Sequence, residues 1–326
     1  MKGNVMITPS FDAAAEAQRL IDWLKDTCLV KMRRQGGVVG VSGGIDSATV
    51  LHLLVQALGA KRVVMLMLPD RDSSQQSEQL ARGMAESLGV EAVKIDLTAG
   101  LQGFGCYDKR DSAVKRTVPE FDPAVDKMKI VLPQNLLEEE STLNLFSVVV
   151  TKPDGSEIKK RLHPRDYLEI VAASNMKQRA RMSMLYFEAE RRNYSVVGTA
   201  NKNEHGLGFF VKYGDGGVDL QPIAHLYKTQ VYAIARHIGV PEAIIQRPPT
   251  TDTYSSEQSQ EEFFYRLPFD VLDAIWDAEE HGMTPEQIAS GMNLSVKQVN
   301  NVLDDIHHKQ RTTDYLRSVP PIPSQP

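Results

Sequence analysis

The stretch of sequence that decides the fold is residues 38–47, which read VVGVSGGIDS. Its first four residues are apolar apart from one glycine, a composition typical of a short strand buried on both faces of a sheet. The glycine pair after Ser42 predicts a tight turn whose backbone N–H groups point at one anion. An apolar helix is predicted to follow through residues 48–58, and its positive N-terminal end attracts the same anion. Strand, glycine turn and helix in this order predict a phosphate-binding loop.

Asp46 is an unusual residue for a phosphate loop, because its carboxylate repels phosphate groups. It fits the loop if it holds a Mg²⁺ ion that the phosphates share, while Ser42 and Ser47 offer hydroxyl donors. The alternative is a plain glycine turn in which Asp46 caps the following helix. Two other nucleotide loops are excluded, because the chain has neither the Gly-Lys-Ser/Thr triplet of a Walker A loop nor a G-x-G-x-x-G dinucleotide motif.

Patterns of strand length and helix length alternate along the chain on both sides of this loop. Apolar residues at three- and four-residue steps predict helices, and short apolar runs predict buried strands. This alternation implies right-handed crossovers and a doubly wound parallel sheet, an α/β fold. The predicted strands are 38–41, 63–68, 93–95 and 195–198, and the predicted helices are 11–33, 48–58, 73–88, 166–192 and 227–238.

Residues 104–165 interrupt this alternation, since most of the segment is charged and shows no helical period. Its second half contains two strand-like runs, 145–150 and one that ends at Leu162, on either side of a Pro-Asp-Gly turn at 153–155, which predicts a β-hairpin. We interpret the segment as an insertion folded onto the sheet domain, with disorder of its first half as the alternative.

The C-terminal part of the chain is predicted to be helical from about Pro248. Thr284 and Ser295 each begin a capping box, which predicts two short helices. A DNA-reading helix-turn-helix also has two such helices, but these are net acidic, so a small packing unit is favoured. We therefore predict an α/β domain over residues 1–255 and a helical C-terminal segment over 256–326.

Composition and charge exclude several classes of protein. The 326 residues are 42% hydrophobic and 24% charged, close to globular averages, which excludes a disordered or collagen-like chain. The net charge of −5 argues against a protein that coats nucleic acid or an anionic membrane, and no apolar run approaches the ~20 residues of a membrane helix. Cys28 and Cys106 match neither a zinc spacing nor a disulfide framework, so we expect a reducing compartment, the cytoplasm.

A second set of motifs lies downstream of the glycine loop. These motifs are 175–182 (NMKQRARM), 197–204 (VGTANKNE), 208–216 (GFFVKYGDG), 219–223 (DLQPI) and 226–228 (LYK). With the SGGIDS loop, this ordered set closely resembles the ammonia-dependent NAD synthetases, which are N-type ATP pyrophosphatases. The resemblance covers about 36–100 and 170–255 well and both ends loosely. It implies a sheet of the adenine nucleotide α-hydrolase type with a helical C-terminal extension.

The resemblance implies a role for each matching residue, and Asp46, Lys212 and Lys228 are the candidate catalytic residues. The two lysines would offset charge that builds up on the phosphates, although a solvated side chain is the alternative for either lysine alone. The candidate ATP ligands are Ser42, Gly43, Gly44, Ile45, Asp46, Ser47, Thr199, Lys228 and Thr250; the candidate deamido-NAD ligands are Arg179, Lys212, Asp219 and Arg317; and the candidate Mg²⁺ ligands are Asp46 and Glu204.

The family's reaction has two steps, with ATP as co-substrate and Mg²⁺ as cofactor. A nicotinate carboxylate attacks the α-phosphate of ATP and releases pyrophosphate, and ammonia then attacks the acyl adenylate to give NAD and AMP. The protein mainly positions the reactants and stabilises charge, so no nucleophilic side chain is expected. Only 41 residues precede Ser42, too few for the amidase domain of glutamine-dependent relatives. We therefore expect free ammonia, or ammonia from a separate glutaminase partner.

Two features depart from the family pattern, and both concern the acceptor. Leu316 stands where the family often has a histidine, and Arg317 replaces a lysine that reaches the deamido-NAD site of a neighbouring subunit. The insertion at 104–165 is longer than the usual connection and enters near the ligand edge of the sheet. Residues 11–33 resemble the family's dimer-forming segment, so a homodimer is expected, with a core helix as the alternative. The functional alternatives are a ligase that amidates a different carboxylate and a nucleotide-binding regulator without turnover.

Overall fold

The computed structural model describes residues 11–132, 136–137, 146–250, 254–256 and 258–323. The strands in these ranges are β1 (Gly37–Gly40), β2 (Val63–Met67), β3 (Glu91–Lys94), β4 (Lys127–Val131), β5 (Ser147–Thr151), β6 (Glu157–Arg161) and β7 (Ser195–Val197). The α-helices are α1 (Ala13–Lys25), α2 (Ile45–Leu58), α3 (Gln75–Leu88), α4 (Thr98–Gly103), α5 (Cys106–Thr117), α6 (Pro164–Glu190), α7 (Lys202–Leu207), α8 (Lys228–His237), α9 (Glu242–Ile245), α10 (Phe269–Glu280), α11 (Pro285–Met292), α12 (Val296–Thr312) and α13 (Asp314–Arg317). Shorter helical turns of other types occupy Asp26–Lys31, Ala60–Arg62 and Glu261–Tyr265.

Four strands form a parallel sheet in the order β3–β2–β1–β7. Gly37 of β1 lies opposite Val63 of β2 on one side and opposite Ser195 of β7 on the other, so the three strands end at the same edge. The strand order reverses between β1 and β7, and open α/β sheets bind ligands outside the carboxyl ends of the strands at such a point. This sheet confirms the doubly wound parallel fold that the sequence predicts.

Helices cover both faces of this sheet, which is why its central strands are almost wholly apolar. On one face, α1, α2, α3 and α8 contribute to a core that includes Leu51 and Met65. On the other face, α4, α5 and α6 pack against Val38, Leu66 and Val196. The predicted site residues therefore stand on loops and helices that pack on a rigid sheet.

Residues 104–165 contain a helix and an antiparallel sheet. Helix α5 is followed by three strands in the order β4–β5–β6, in which β5 and β6 pair across the predicted turn. The first half shows no helical period in its sequence, yet it contains α5, so in the described part of that half the alternative of disorder does not hold. Arg110 and Asp111 of α5 are only 3% and 6% exposed. A helix that buries charged side chains shows no apolar period in its sequence.

The C-terminal helices pack against the sheet domain. Thr284 and Ser295 form the two predicted capping boxes at the starts of α11 and α12. Buried side chains of α10, α11 and α12 share a core with Leu207 and Tyr227, which belong to the segment that leads into α8. Among the described residues, no helix is long and apolar enough to cross a membrane.

Candidate active site

A cavity of about 840 Å³ opens at the carboxyl edge of the parallel sheet. Its walls come from the loops after β1, β2 and β7, from one side of α6 and from the chain around Thr250. The predicted site residues that line it are Ser42, Gly44, Ile45, Asp46, Ser47, Arg179, Thr199, Glu204, Lys212, Lys228 and Thr250. The structure thus brings residues of the glycine loop and of the downstream motifs together around one cavity.

The glycine loop turns sharply out of β1 into α2. Gly43 has a φ of +78°, and a Cβ at this position would lie 2.7 Å from the carbonyl oxygen of Ser77. Gly44, not Asp46, is the N-cap of α2, and no described side chain caps the first turn. The alternative in which Asp46 caps the helix is therefore wrong. Residues 44–47 at the start of α2 line the cavity, and the uncapped N–H groups of a helix start can bind an anion.

Asp46 forms a buried ion pair with Lys228. The Lys228 Nζ lies 2.5 Å from Asp46 Oδ2, and Asn201 Nδ2 donates to Asp46 Oδ1 at 3.0 Å. Burial acts to lower the pKa of Lys228, but the charges of Asp46 and Glu204 outweigh it and raise that pKa above its ordinary value. The lysine therefore carries its positive charge at the mouth of the phosphate loop.

Glu204 places a second carboxylate beside this pair. Its Oε1 accepts from Gln260 Nε2 at 3.1 Å, and its Oε2 accepts from the backbone N–H of Asn201 at 3.2 Å. Burial and the nearby charge of Asp46 raise the pKa of Glu204 to about 8. Two carboxylates so close together are stabilised by a cation, and Mg²⁺ prefers such oxygen ligands together with phosphate oxygens.

The backbone at the start of α8 is fixed from the C-terminal helices. Asn203 Oδ1 accepts from the N–H of Lys228 at 2.9 Å. Asp273 of α10 accepts from Asn203 Nδ2 at 2.6 Å and from the N–H of Thr229 at 2.9 Å, and its burial raises its pKa to about 6. The C-terminal helices thereby position the lysine.

Lys212 and Arg179 lie on the outer wall of the cavity. The Lys212 Nζ donates to the carbonyl oxygens of Tyr315 at 2.7 Å and Ser318 at 2.9 Å. Arg179 Nη2 donates to the carbonyl of Lys212 at 3.4 Å and remains largely exposed. These contacts tie the loop at 208–217 to residues 315–318, and Arg179 remains an exposed residue of the cavity wall.

Gly43, Asp219 and Arg317 do not line the cavity of the described chain. Asp219 uses both carboxylate oxygens within the protein, accepting from Tyr186 and from the N–H of Val196. Arg317 donates to backbone carbonyls, including those of His205 and Gly206. In the single chain these two side chains brace the site, and their contacts with substrate stay predictions.

Sequence reasoning missed the amide side chains of the site. Asn201 lies inside the motif at 197–204. Its position just after a predicted strand, at the edge where such sheets bind ligands, could have marked it as a site residue. Gln260 lies in a stretch that carries no recognisable motif, and only the fold brings it to Glu204 and Lys228.

A doubly wound sheet whose glycine loop faces two carboxylates and a buried lysine defines a nucleotide-binding α/β protein. The model of the family described as NAD synthase matches residues 16–117 and 128–320, and this chain belongs to that family. The unmatched residues 118–127 lie within the segment 104–165.

Named relatives agree with this family. The chain is 46% identical over 313 residues to an NH₃-dependent NAD⁺ synthetase of Rhizobium meliloti, covering 96% of this chain and 92% of that one. It is 40% identical over 258 residues to the corresponding enzyme of Thermotoga maritima, covering 79% and 84%.

Solved structures show the same fold. An NMN synthetase from Francisella tularensis has a TM-score of 0.63 at 24% identity and covers 97% of this chain and 100% of that one. An NH₃-dependent NAD synthetase from Campylobacter jejuni has a TM-score of 0.62 at 22% identity and covers 96% and 100%.

Proposed function

We propose that this chain uses ATP and ammonia to amidate deamido-NAD, giving NAD, AMP and pyrophosphate. The observation that carries the proposal is the Asp46–Lys228 pair, which stands beside Glu204 at the end of an uncapped glycine loop. Relatives of 40–46% identity over most of the chain are named NH₃-dependent NAD⁺ synthetases. A regulator without turnover has little need for both carboxylates and the buried lysine.

In the first step, the nicotinate carboxylate oxygen bonds to the α-phosphorus of ATP, and the bond from that phosphorus to the bridging oxygen breaks. Pyrophosphate leaves with its electron pair. The N–H groups at the start of α2 bind the phosphates, with Ser42 and Thr199 on the same wall. The Lys228 ammonium offsets the negative charge that grows on the leaving group.

Asp46 and Glu204 are the residues that would hold Mg²⁺. Among the described residues no cluster of three or more metal-binding side chains occurs. Mg²⁺ in ATP sites is usually bound by one or two protein carboxylates together with phosphate oxygens. Asp46 and Glu204 fit this pattern. When bound, Mg²⁺ supplies positive charge to the phosphates.

In the second step, ammonia adds to the carbonyl carbon of the acyl adenylate, the carbon–oxygen bond to AMP breaks, and the surplus proton leaves to solvent. Arg179, Lys212 and Thr250 lie on the cavity wall, where Arg179 and Lys212 hold deamido-NAD and Thr250 contacts ATP. We also assign contacts with deamido-NAD to Asp219 and Arg317. Arg317 makes its contact from a second copy of the chain in a cytoplasmic homodimer.

Mass spectrometry of the products tests the proposal. Purified protein receives ATP, Mg²⁺ and ammonium, with deamido-NAD, with nicotinate mononucleotide or with no acceptor. We expect NAD, AMP and pyrophosphate with deamido-NAD, and their loss in Asp46→Ala. If the mononucleotide is amidated in preference to deamido-NAD, the acceptor in the proposal is the mononucleotide and not deamido-NAD. ATP binding without any pyrophosphate release would favour the regulator.

A further inference from the structure

A strap of chain connects the antiparallel sheet of the 104–165 segment to the active site. The strap is defined as the described residues 249–250, 254–256 and 258–260. Its two described ends meet, because Thr250 and Ser259 form an antiparallel bridge and the N–H of Gln260 donates to the carbonyl of Pro249 at 2.9 Å. The strap therefore returns to the cavity at the point where Thr250 lines it.

The middle of the strap is bound along the free edge of β4. Met128 donates its N–H to Ser255 Oγ at 2.9 Å, and its carbonyl accepts from the N–H of Ser256 at 3.1 Å. Gln258 Nε2 donates to the carbonyl of Ile130 at 2.8 Å. Since Gln258 is 3% exposed, this contact is sheltered from water, and the edge strand acts as a fixed support for the strap.

Gln260, the last residue of the strap, contacts the charged residues of the site. Its side chain is 9% exposed; its Nε2 donates to Glu204 Oε1 at 3.1 Å, and its Oε1 accepts from Lys228 Nζ at 3.4 Å. An amide has a donor end and an acceptor end, so a carboxylate and an ammonium fix its orientation together. The same amide thereby fixes where the two charged groups stand relative to each other.

We propose that Gln260 is a positioning residue for the nucleotide site, held by the β4 edge and acting through Glu204 and Lys228. This inference rests on the proposed synthetase reaction. It gives the antiparallel sheet a role in nucleotide binding, because the sheet holds the strap that presents the amide. Gln260 lines the cavity, and its side-chain hydrogen bonds in the described chain go to Glu204 and Lys228.

Gln260→Met tests this role, because methionine keeps the length of the side chain and removes both hydrogen bonds. Gln258→Met is the matched control: it removes a buried amide contact of the strap but none to Glu204 or Lys228. The strap stays held on β4 by the hydrogen bonds of Met128 to Ser255 and Ser256. Titration calorimetry measures the binding of α,β-methylene-ATP with Mg²⁺, and steady-state assays measure the KM for ATP and kcat. Thermal melts report the stability of both variants.

We expect Gln260→Met to weaken analogue binding and to raise the KM for ATP about tenfold, with Gln258→Met within threefold of wild type and both variants folded. Equal losses of binding in both variants would reduce Gln260 to a structural residue of the strap and overturn the inference. Wild-type binding and KM in a folded Gln260→Met would overturn it as well. If the wild type itself forms no NAD, the proposed function fails, and analogue binding still decides the role of Gln260.

Discussion

The Lys228 ammonium lies 2.5 Å from the Asp46 carboxylate, across 182 residues of sequence. The lysine side chain is fully buried, whereas that of Asp46 is 14% exposed toward the cavity. In an ion pair of this kind, each partner neutralises a charge that would otherwise be buried alone. The pair therefore contributes to the stability of the fold as well as to the charge of the site. Removing either partner therefore disturbs both the folded state and the nucleotide site.

Asp46→Asn is expected to destabilise the protein and to abolish NAD formation. Removing one partner of a buried pair costs about 3–5 kcal/mol. Among the described residues, Lys228 then keeps the weaker acceptor Gln260 at 3.4 Å and the nearby charge of Glu204. Urea unfolding measures the first effect, and product analysis measures the second. The double variant with Lys228→Met should regain much of the stability and none of the activity. Recovery of activity in the double variant would show that the pair is only structural.

Gly43→Ala is expected to damage the phosphate loop through its backbone. The φ of +78° costs an L-residue about 1–2 kcal/mol, and the added Cβ would meet the carbonyl of Ser77 at 2.7 Å. Gly44→Ala is the matched comparison, because its Cβ would meet only Ser42 Oγ, at 3.4 Å. Denaturant unfolding should show a loss of at least about 1 kcal/mol for Gly43→Ala relative to Gly44→Ala. Equal stabilities would contradict the steric argument.

The glycine loop could be predicted because its signal is local. Strand, turn and helix follow one another within residues 38–58, and each has its own composition. Helix α5 was missed because Arg110 and Asp111 are buried in ion pairs with residues such as Asp72 and Arg71. A periodic pattern of apolar residues predicts a buried helix face only where the buried side chains are apolar.

The role of Gln260 was beyond sequence reasoning for a different reason. Its partners Glu204 and Lys228 are 56 and 32 residues away, and the strap that carries it is held on β4 by the contact of Ser255 with Met128, which spans 127 residues. Nothing in the local composition marks such contacts. They follow from the packing of the antiparallel sheet against α5 and α6, which the predicted hairpin alone does not specify.

Arg179→Met is expected to weaken the binding of deamido-NAD and not the binding of ATP. The guanidinium is exposed on the cavity wall, and a charge-assisted contact to an anionic substrate is worth about 1.5–3 kcal/mol. The KM for deamido-NAD should rise at least tenfold, with the KM for ATP within about twofold. Arg191→Met, at the far end of the same helix, serves as the control. A larger rise in the KM for ATP would place Arg179 on the nucleotide side.

The acid stability of the protein is expected to depend on Asp72. Burial raises the pKa of this carboxyl, but Lys177 and Arg110 outweigh burial and hold the pKa below its ordinary value of 3.8. Arg71 and Asp70 also belong to this network. The folded state therefore binds the proton more weakly than the unfolded state. The stabilisation by Asp72 is complete above about pH 4 and is lost as the pH falls through the lowered pKa of the folded state.

Asp72→Asn measures this contribution, because asparagine does not titrate. The free energy of unfolding, taken from urea curves at several values between about pH 5 and pH 3, should fall less steeply with acid in the variant than in the wild type. Asp108→Asn removes an exposed carboxylate from helix α5, which also carries Arg110, and should leave the slope unchanged. The variant will be less stable near neutral pH, because Lys177 and Arg110 lose a buried partner. An unchanged slope in Asp72→Asn would mean that other carboxylates govern acid unfolding.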